Sequence, residues 1–537
     1  MNFFNKTCNI IYHMDEDYLL SRKRIFNATV FVIIATFLSK ISGLIRDQIM
    51  TGYFGVTYDT DAFIWADYIP NLFRVLLAES LIIAAFIPIY STYLKNDKKE
   101  DIEVFVNSVI NIIIPVFFVI SLIIFILSPQ IGLLLSKIAN NQLDIYKFTV
   151  MSRIIIFSLV FMSLSSLATG ILNSHNIFTV PSLAPFVMNI VTIISVILFS
   201  RYINIYSMAV GVMAGSFMHL AIQLPQLRVA PFRYRFTIDL KHEGVREIFA
   251  LMVPIVLSSG VVQLNNSIDY FFALNLGEGN TTALNLSWRV ANIPLGVFSV
   301  AIVTVLYPLL SRQAAVNDTK GIKESFSLGV REIGYVMMPA TAGLIILSQP
   351  IIKLLFERYN FGPQDTEKVA YILIFHCIGL IFFGLLMILN RIFYSFKDVI
   401  TPLKVAGLTI ILNIILDWVL SIFLDVGGLA LSTSLVALFN IIVLIIILRK
   451  KIGNFGGKRI FISYAKMAAS VAIMSVIVFF LWRYLEKFTA GSTGIFALNL
   501  ILVIIVGAGV YAGCTVLFRM EEVKFVLGLF KSRRKIQ

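Results

Sequence analysis

Seven ionisable side chains crowd one short stretch: Lys40, Arg46, Asp47, Asp61, Asp67, Arg74 and Glu79 all lie in or beside strongly apolar sequence. An ionisable group at bilayer depth costs roughly 2.5–3.5 kcal/mol on insertion scales. Lys40, Arg46 and Arg74 facing lipid would together cost on the order of 8–10 kcal/mol. They must therefore line a wet cavity or meet opposite charge. Ser39 and Arg46 are seven apart and share a helical stripe; Lys40 and Asp47 form the neighbouring stripe, with Gly43 between. Asp67, Asn71 and Arg74 follow i, i+4, i+7 on one face, and Pro70 is placed to kink that helix. Arg289, five residues before Pro294, adds a fourth cation. Cations from both halves of the chain point to a multiply anionic cargo. The planar fork of Arg suits phosphate or pyrophosphate, because it binds two oxygens at once. Asp47, Asp61 and Glu79 would hold the cations in place before cargo arrives, or gate the cleft. The bland alternative is a set of snorkelling residues at helix ends, or structural ion pairs.

A second constellation lies further on. Asn413 and Asp417 are four apart and share a helix face, Asp269 is mid-span, and Thr433 falls in the next span. Carboxylates, an amide and a hydroxyl are hard oxygen ligands, suited to a small hard cation. A buried carboxylate without Lys or Arg nearby binds a cation or takes up a proton. Asp417 beside Trp418 could equally sit solvated at the outer interface. Catalytic signatures are missing: the sequence has no HExxH, GxSxG or Walker loop. The five His residues show no ligand spacing, and His219 and His376 are expected to be hydrogen-bonded within the membrane. No cofactor is required, and transport would draw on an ion gradient, the membrane potential or the cargo gradient.

The elements that must position these groups are membrane helices. The 537 residues are 58% hydrophobic and only 14% charged, too apolar to cover the surface of a soluble protein of this length. Apolar runs of about 20 residues predict helices rather than the ~10-residue alternating strands of a barrel. The fold expected is an all-α polytopic membrane protein with about fourteen spans. They are placed near 25–46, 60–92, 104–127, 148–172, 180–200, 205–225, 247–275, 284–311, 327–348, 368–395, 401–424, 427–448, 461–483 and 495–518. The net charge of +14 reflects positive-inside loops rather than nucleic-acid binding. Connections near 95–99, 228–246, 312–323 and 449–459 are rich in Lys and Arg, whereas 276–283 and 425–426 have none. Both termini are therefore expected in the cytoplasm. Residues 1–24 are an N-terminal cytoplasmic segment rather than a signal peptide, since Asp15, Glu16 and Asp17 interrupt any apolar core. Met14 is an alternative start. Cys8, Cys377 and Cys514 form no disulfide or metal pattern.

The chain also repeats itself. Pro88 and Pro308 are 220 residues apart, Pro70 and Pro294 are 224 apart, and Pro181 and Pro402 are 221 apart. This predicts two pseudo-symmetric six-helix lobes, 25–225 and 247–448, joined by a cytoplasmic linker at 226–246 and facing a central cavity. Two additional helices at 449–518 and a basic tail at 519–537 complete the chain.

The motifs SxxxGLIRD (39–47), TDAF (60–63), IPNLFRxxxAE (69–79), AFIPIYSTY (85–93), IPLGVFSVAIVTVLYPLLS (293–311) and FYSFKDVITP (393–402) together resemble the MurJ/MviN lipid II flippases. These belong to the multidrug/oligosaccharidyl-lipid/polysaccharide exporter superfamily, and the resemblance covers roughly 25–520. It implies a bacterial inner-membrane protein that moves lipid II from the inner to the outer leaflet by alternating access. It also implies essential cavity cations at Arg46, Arg74 and Arg289, with acidic family positions at Asp61 and Glu79. Lys40 stands where the family motif has Arg, Tyr68 where some members have Lys, and Asn292 where an acidic or polar partner follows. The sodium pattern of some members falls on Asp269, Asn413, Asp417 and Thr433, and the last two spans of such members flank a groove for the lipid tail. Rival readings are a flippase for another undecaprenyl-pyrophosphate-linked oligosaccharide, a cation-coupled drug exporter, and a non-transporting scaffold in a cell-wall synthesis complex.

Overall fold

A computed structural model describes residues 31–79, 85–95, 99–488 and 492–523, and among these every regular element is a helix. The first helix, α1, covers 31–54. Then come α2 (Tyr58–Phe73), α3 (Ile87–Lys95), α4 (Lys99–Ile138), α5 (Ile145–Ile155), α6 (Ser158–Ser174), α7 (Thr179–Ile203) and α8 (Tyr206–Ala221). The second part of the chain holds α9 (Glu243–Asn275), α10 (Asn280–Pro294), α11 (Val300–Ala315), α12 (Thr319–Ile346), α13 (Ser348–Phe356) and α14 (Pro363–Ser395). It ends with α15 (Ile400–Leu424), α16 (Val426–Ile452), α17 (Gly457–Leu485) and α18 (Thr493–Leu517). Each expected span lies mostly on helix where it is described, with short turns at 156–157, 222–223 and 347 interrupting three of them. Among the described residues ten helical stretches are long and apolar enough to cross a membrane, two of them joining helices named above (α5 with α6, α10 with α11), and α12 with α13, bent by 74° where they meet, make an eleventh. The described parts of the expected spans at 25–46 and 60–92, and the span at 247–275, fall on helices outside that count. A helix satisfies its own backbone groups, which is why lipid selects it.

The chain divides into two compact units. The first runs to Met50 and then takes Ala62–Ser136 and Leu143–Gly260; the second takes Thr51–Asp61, Lys137–Gln142 and everything from Val261 on. The core of the first unit is built around Phe86, which stacks on Tyr90 at 5.3 Å and on Phe105 at 5.4 Å. Helices α7 and α8 pack closely because Gly211 and Gly215 face α7. A Cβ at Gly215 would lie 2.8 Å from the Met188 carbonyl oxygen, so small residues set the helix spacing. The linker after α8 is not loose. Asn107 donates to the Arg233 carbonyl at 2.8 Å, Asn111 donates to those of Arg235 and Thr237 at 3.0 Å, and the Asp239 N–H donates to Ser108 at 3.0 Å. Side chains of α4 thus stand in for a missing strand partner.

In the second unit, α11, α12, α14 and α16 bury Leu306, Phe326, Ile333, Met337, Ile388 and Leu444. The last two helices pack on α12 through Met467, Met474, Val478, Leu500, Val503 and Tyr511. Two distorted turns matter for function. Pro70 lies inside α2, which passes into a π-helical turn at Arg74–Glu79, and Pro294 ends α10 just before a second π turn at Leu295–Ser299. Proline removes one backbone donor and clashes with the preceding turn; a widened turn absorbs the misfit.

Candidate functional site

In the first unit, Arg46 is fixed on two sides. Its guanidinium donates to Asp47 Oδ1 at 2.9 and 3.2 Å and to Asn189 Oδ1 on α7 at 3.3 Å. Asn189 in turn donates to the Ser39 carbonyl at 3.2 Å and to Ser42 Oγ at 3.0 Å. The ion pair is largely enclosed, with side-chain exposures of 14% and 4%. Asp67 of α2 lies within electrostatic reach of Arg46. Lys40 is exposed beside the exposed Phe37 and Ile41, so this network does not include it. The amide at 189 escaped the sequence reading; its signal was a lone Asn in an otherwise apolar span. Arg74 opens the first π turn and donates to Asn71 Oδ1 at 2.5 and 3.0 Å. Glu79 closes the same turn, and its side chain lies outside the described residues.

Arg289 in the second unit is held the same way. Its Nε donates to Asn285 Oδ1, one helical turn earlier, at 2.8 Å, and Asn285 Nδ2 donates to the Tyr270 hydroxyl at 2.5 Å. Both half-buried guanidiniums are therefore aimed by an amide on their own helix, just ahead of or at a π turn. Asn285 was missed as well, although an Asn one turn before an intramembrane Arg is a readable sign.

Asp61 belongs to the second unit and, among the described residues, forms no ion pair, although Lys368 lies within electrostatic reach. Its fully buried carboxylate accepts from the Gly279 N–H at 2.8 Å, the Thr282 N–H at 2.8 Å and Thr282 Oγ1 at 2.7 Å. It caps the N-terminus of α10, whose own first residues supply no side-chain cap. Gly279 has φ of 72°, and a Cβ there would lie 2.3 Å from the Val56 carbonyl oxygen, so the close approach requires glycine. Asp61 thus anchors the helix that carries Arg289.

The second constellation is brought together. Asn413 Nδ2 donates to Asp269 Oδ1 and to Asp417 Oδ2, both at 2.7 Å, and Thr433 Oγ1 donates to Asp269 Oδ2 at 3.0 Å. Asp269, Asn413 and Asp417 are buried, and Asp417 Oδ1 has no hydrogen-bond partner. A buried carboxylate oxygen without a partner and three further hard oxygens fit a small cation such as sodium. No set of three or more His, Cys, Asp or Glu placed to hold a metal occurs among the described residues, so amide and hydroxyl oxygens would complete any such site. The two intramembrane histidines are hydrogen-bonded as expected: His219 Nδ1 to Ser165 Oγ at 2.5 Å, and His376 Nδ1 to Ser287 Oγ at 3.0 Å.

A multi-pass helical bundle with amide-held guanidiniums and an acidic polar cluster defines a membrane transporter of the exporter-superfamily fold. An inward-facing multidrug resistance MATE family transporter shares that fold, with a TM-score of 0.61 at 13% identity over 81% of this chain and 98% of its own. A solved lipid II flippase MurJ in an inward closed conformation gives a TM-score of 0.73 at 27% identity, over 91% of this chain and 99% of that one. The family model described as lipid II flippase MurJ matches residues 50–502, and the chain belongs to that family. Curated relatives include the probable lipid II flippases MurJ of Rickettsia prowazekii, 29% identical over 92% of this chain and 98% of the relative, and of Buchnera aphidicola, 30% identical over 87% and 92%. The lipid II flippase MurJ of Burkholderia cenocepacia is 28% identical over 80% and 84%.

Proposed function

We propose that this protein is a lipid II flippase that carries the peptidoglycan precursor across the bacterial inner membrane, with Arg46, Arg74 and Arg289 as the groups that meet the pyrophosphate. It is a transporter, not an enzyme. Family membership supports the cargo, and the paired Asn–Arg arrangement at Arg74 and Arg289 carries the assignment of the binding groups. Arg46, braced by Asp47 and Asn189, is the third contributor. Lys40, on an exposed face, would meet the cargo only as a point charge, without a bidentate fork. The Lys- and Arg-rich connections support a topology with both termini in the cytoplasm. Asp269, Asn413, Asp417 and Thr433 bind sodium in this reading, as a coupling or structural ion.

The test is a reconstituted assay that scores lipid II in the outer leaflet. Arg74→Ala and Arg289→Ala should each lower flipping at least tenfold, since a lost charge-assisted contact is worth about 1.5–3 kcal/mol. They should also fail to support growth when the native flippase is depleted. Normal flipping by both variants at normal expression would remove the cargo role. Equal transport of another undecaprenyl-pyrophosphate oligosaccharide would favour the broader reading, because the pyrophosphate handle is shared.

A further inference from the structure

A cavity of about 410 Å³ in the second unit belongs to neither constellation. It opens where α12 bends into α13 and is closed by the start of α14, the end of α17 and the start of α18. This end of the α17–α18 pair is remote from the basic connection at 449–459, which puts it at the outer leaflet by the charge rule. Its volume lies in the ~300–1,000 Å³ range of small-molecule sites.

The lining carries both signs of charge. Lys353 and Arg483 supply cations, Glu357 and Glu486 carboxylates, and Gln349 an amide. Lys353 Nζ is 3.7 Å from Glu357 Oε1, a long contact that a ligand can enter, and it sits 5.7 Å from the centre of the Phe496 ring. Glu357 is steadied by Thr366 Oγ1, which donates to its Oε2 at 2.8 Å. The first turn of α13, Ser348–Pro350, forms part of the wall, and its N-cap Leu347 offers no capping side chain. Ser348 and Gln349 carry helix-end N–H groups and Pro350 has none, so at most two such donors add to the two cations. The remaining wall is apolar, with Trp482 edge-on to Phe496 at 5.3 Å. Next to it on the same helix end, Phe480, Tyr484 and Phe488 are exposed. An exposed Tyr at a helix end, here Tyr484, marks headgroup depth.

Balanced charge, an apolar wall and headgroup depth match one ligand chemistry: a phosphate joined to a primary ammonium, with acyl chains leading into lipid. We propose that this cavity binds the headgroup of an outer-leaflet aminophospholipid, the phosphate at Lys353, Arg483 and the first turn of α13, the ammonium at Glu357 and Glu486. The proposal rests on the chain being membrane-embedded and is independent of its cargo. A bound lipid here would wedge α17 and α18 against the α12–α13 bend and set how firmly the final helix pair is held.

The full chain in detergent, titrated with phosphatidylethanolamine, phosphatidylcholine or phosphatidylglycerol and read by native mass spectrometry, tests this. Phosphatidylethanolamine should bind about tenfold tighter than either other lipid, because a quaternary ammonium cannot donate to the carboxylates and glycerol brings no positive charge. The double variant E357Q/E486Q, which removes the groups that meet the ammonium, should bring its affinity down to the phosphatidylcholine level. Equal binding of the three lipids by the unaltered chain overturns the proposal, whether or not the variant folds; so does an unchanged preference in a folded variant. Free glycerophosphoethanolamine separates the sources. Displacement only at about hundredfold higher concentration assigns the site to lipid, since the acyl chains add apolar contact. Displacement at equal concentration assigns it to a soluble amino-phosphate and overturns the lipid assignment.

Discussion

Asp61 shows what a single buried charge does in this protein. One carboxylate, wholly enclosed, satisfies two backbone N–H groups and a hydroxyl at the start of α10. Asp61→Ala should lower the stability of the detergent-solubilised chain by about 1–3 kcal/mol, because it uncaps α10 and leaves buried donors unpaired. Asp61→Asn should cost less, and Thr282→Val less again. A thermal melt checks the order, and an unchanged midpoint for Asp61→Ala would refute the capping role. The same residue-scale logic explains the two arginines. Each guanidinium gives one or two of its donors to a neighbouring amide. Arg289→Lys should therefore retain charge while losing most flipping, since an ammonium cannot hold the amide and a phosphate in one plane.

At the scale of elements, the recurring unit is proline, arginine and a π turn. In α10 the order is Arg289, then Pro294, then the widened turn; in α2 it is Pro70, then Arg74 at the turn's first residue. Pro294→Ala would restore an ordinary helical ladder, because alanine carries the missing N–H and avoids a clash of about 3 kcal/mol. The variant should melt higher yet flip lipid II more slowly, measured on one preparation. Loss of both stability and transport would argue that the π turn is packing alone. The cluster joining α9, α15 and α16 offers a second test at this scale. Sodium chloride should raise the thermal midpoint over potassium chloride, by up to ~2.7 kcal/mol of stabilisation at a hundredfold excess over Kd. Asp417→Asn should abolish the difference. Equal midpoints in the two salts for the unaltered chain would remove sodium from Asp269 and Asp417.

For the molecule as a whole, the last helix pair is secured by charge as well as by packing. Arg331 on α12 donates to Glu522 Oε1 at 2.6 Å, with both side chains buried, and Ser463 on α17 donates to the same oxygen at 2.6 Å. Removing one partner of a buried pair costs about 3–5 kcal/mol. Glu522→Ala should therefore loosen the end of α18, seen as faster proteolysis near Arg519. Next to it, Arg459 donates to the exposed Glu521 and holds that carboxyl below its ordinary value of 4.5. A depressed carboxyl contributes stability above its unfolded value and loses it as pH falls through the folded one. Acidifying from pH 7 to pH 5 should leave this contact intact, with weakening only once the pH falls below that ordinary value. Glu521→Gln should flatten the melting curve's pH dependence in that lower window.

The sequence by itself determined the helical, membrane-spanning character, because lipid admits few backbone solutions and apolar length reports them directly. It also singled out Arg46, Arg74, Arg289 and the Asp269, Asn413, Asp417 and Thr433 set, because polar groups are conspicuous in apolar runs. Helical periodicity says which side of its own helix a residue occupies, and so paired Asn413 with Asp417 correctly. Only the tertiary structure decided what stands opposite. It gave Arg46 the amide of Asn189, turned Asp61 toward a helix end rather than a cation, left Lys40 on an exposed face, and buried Arg331 against Glu522. Those choices depend on which neighbour each face meets, a long-range property that spacing along one helix does not encode.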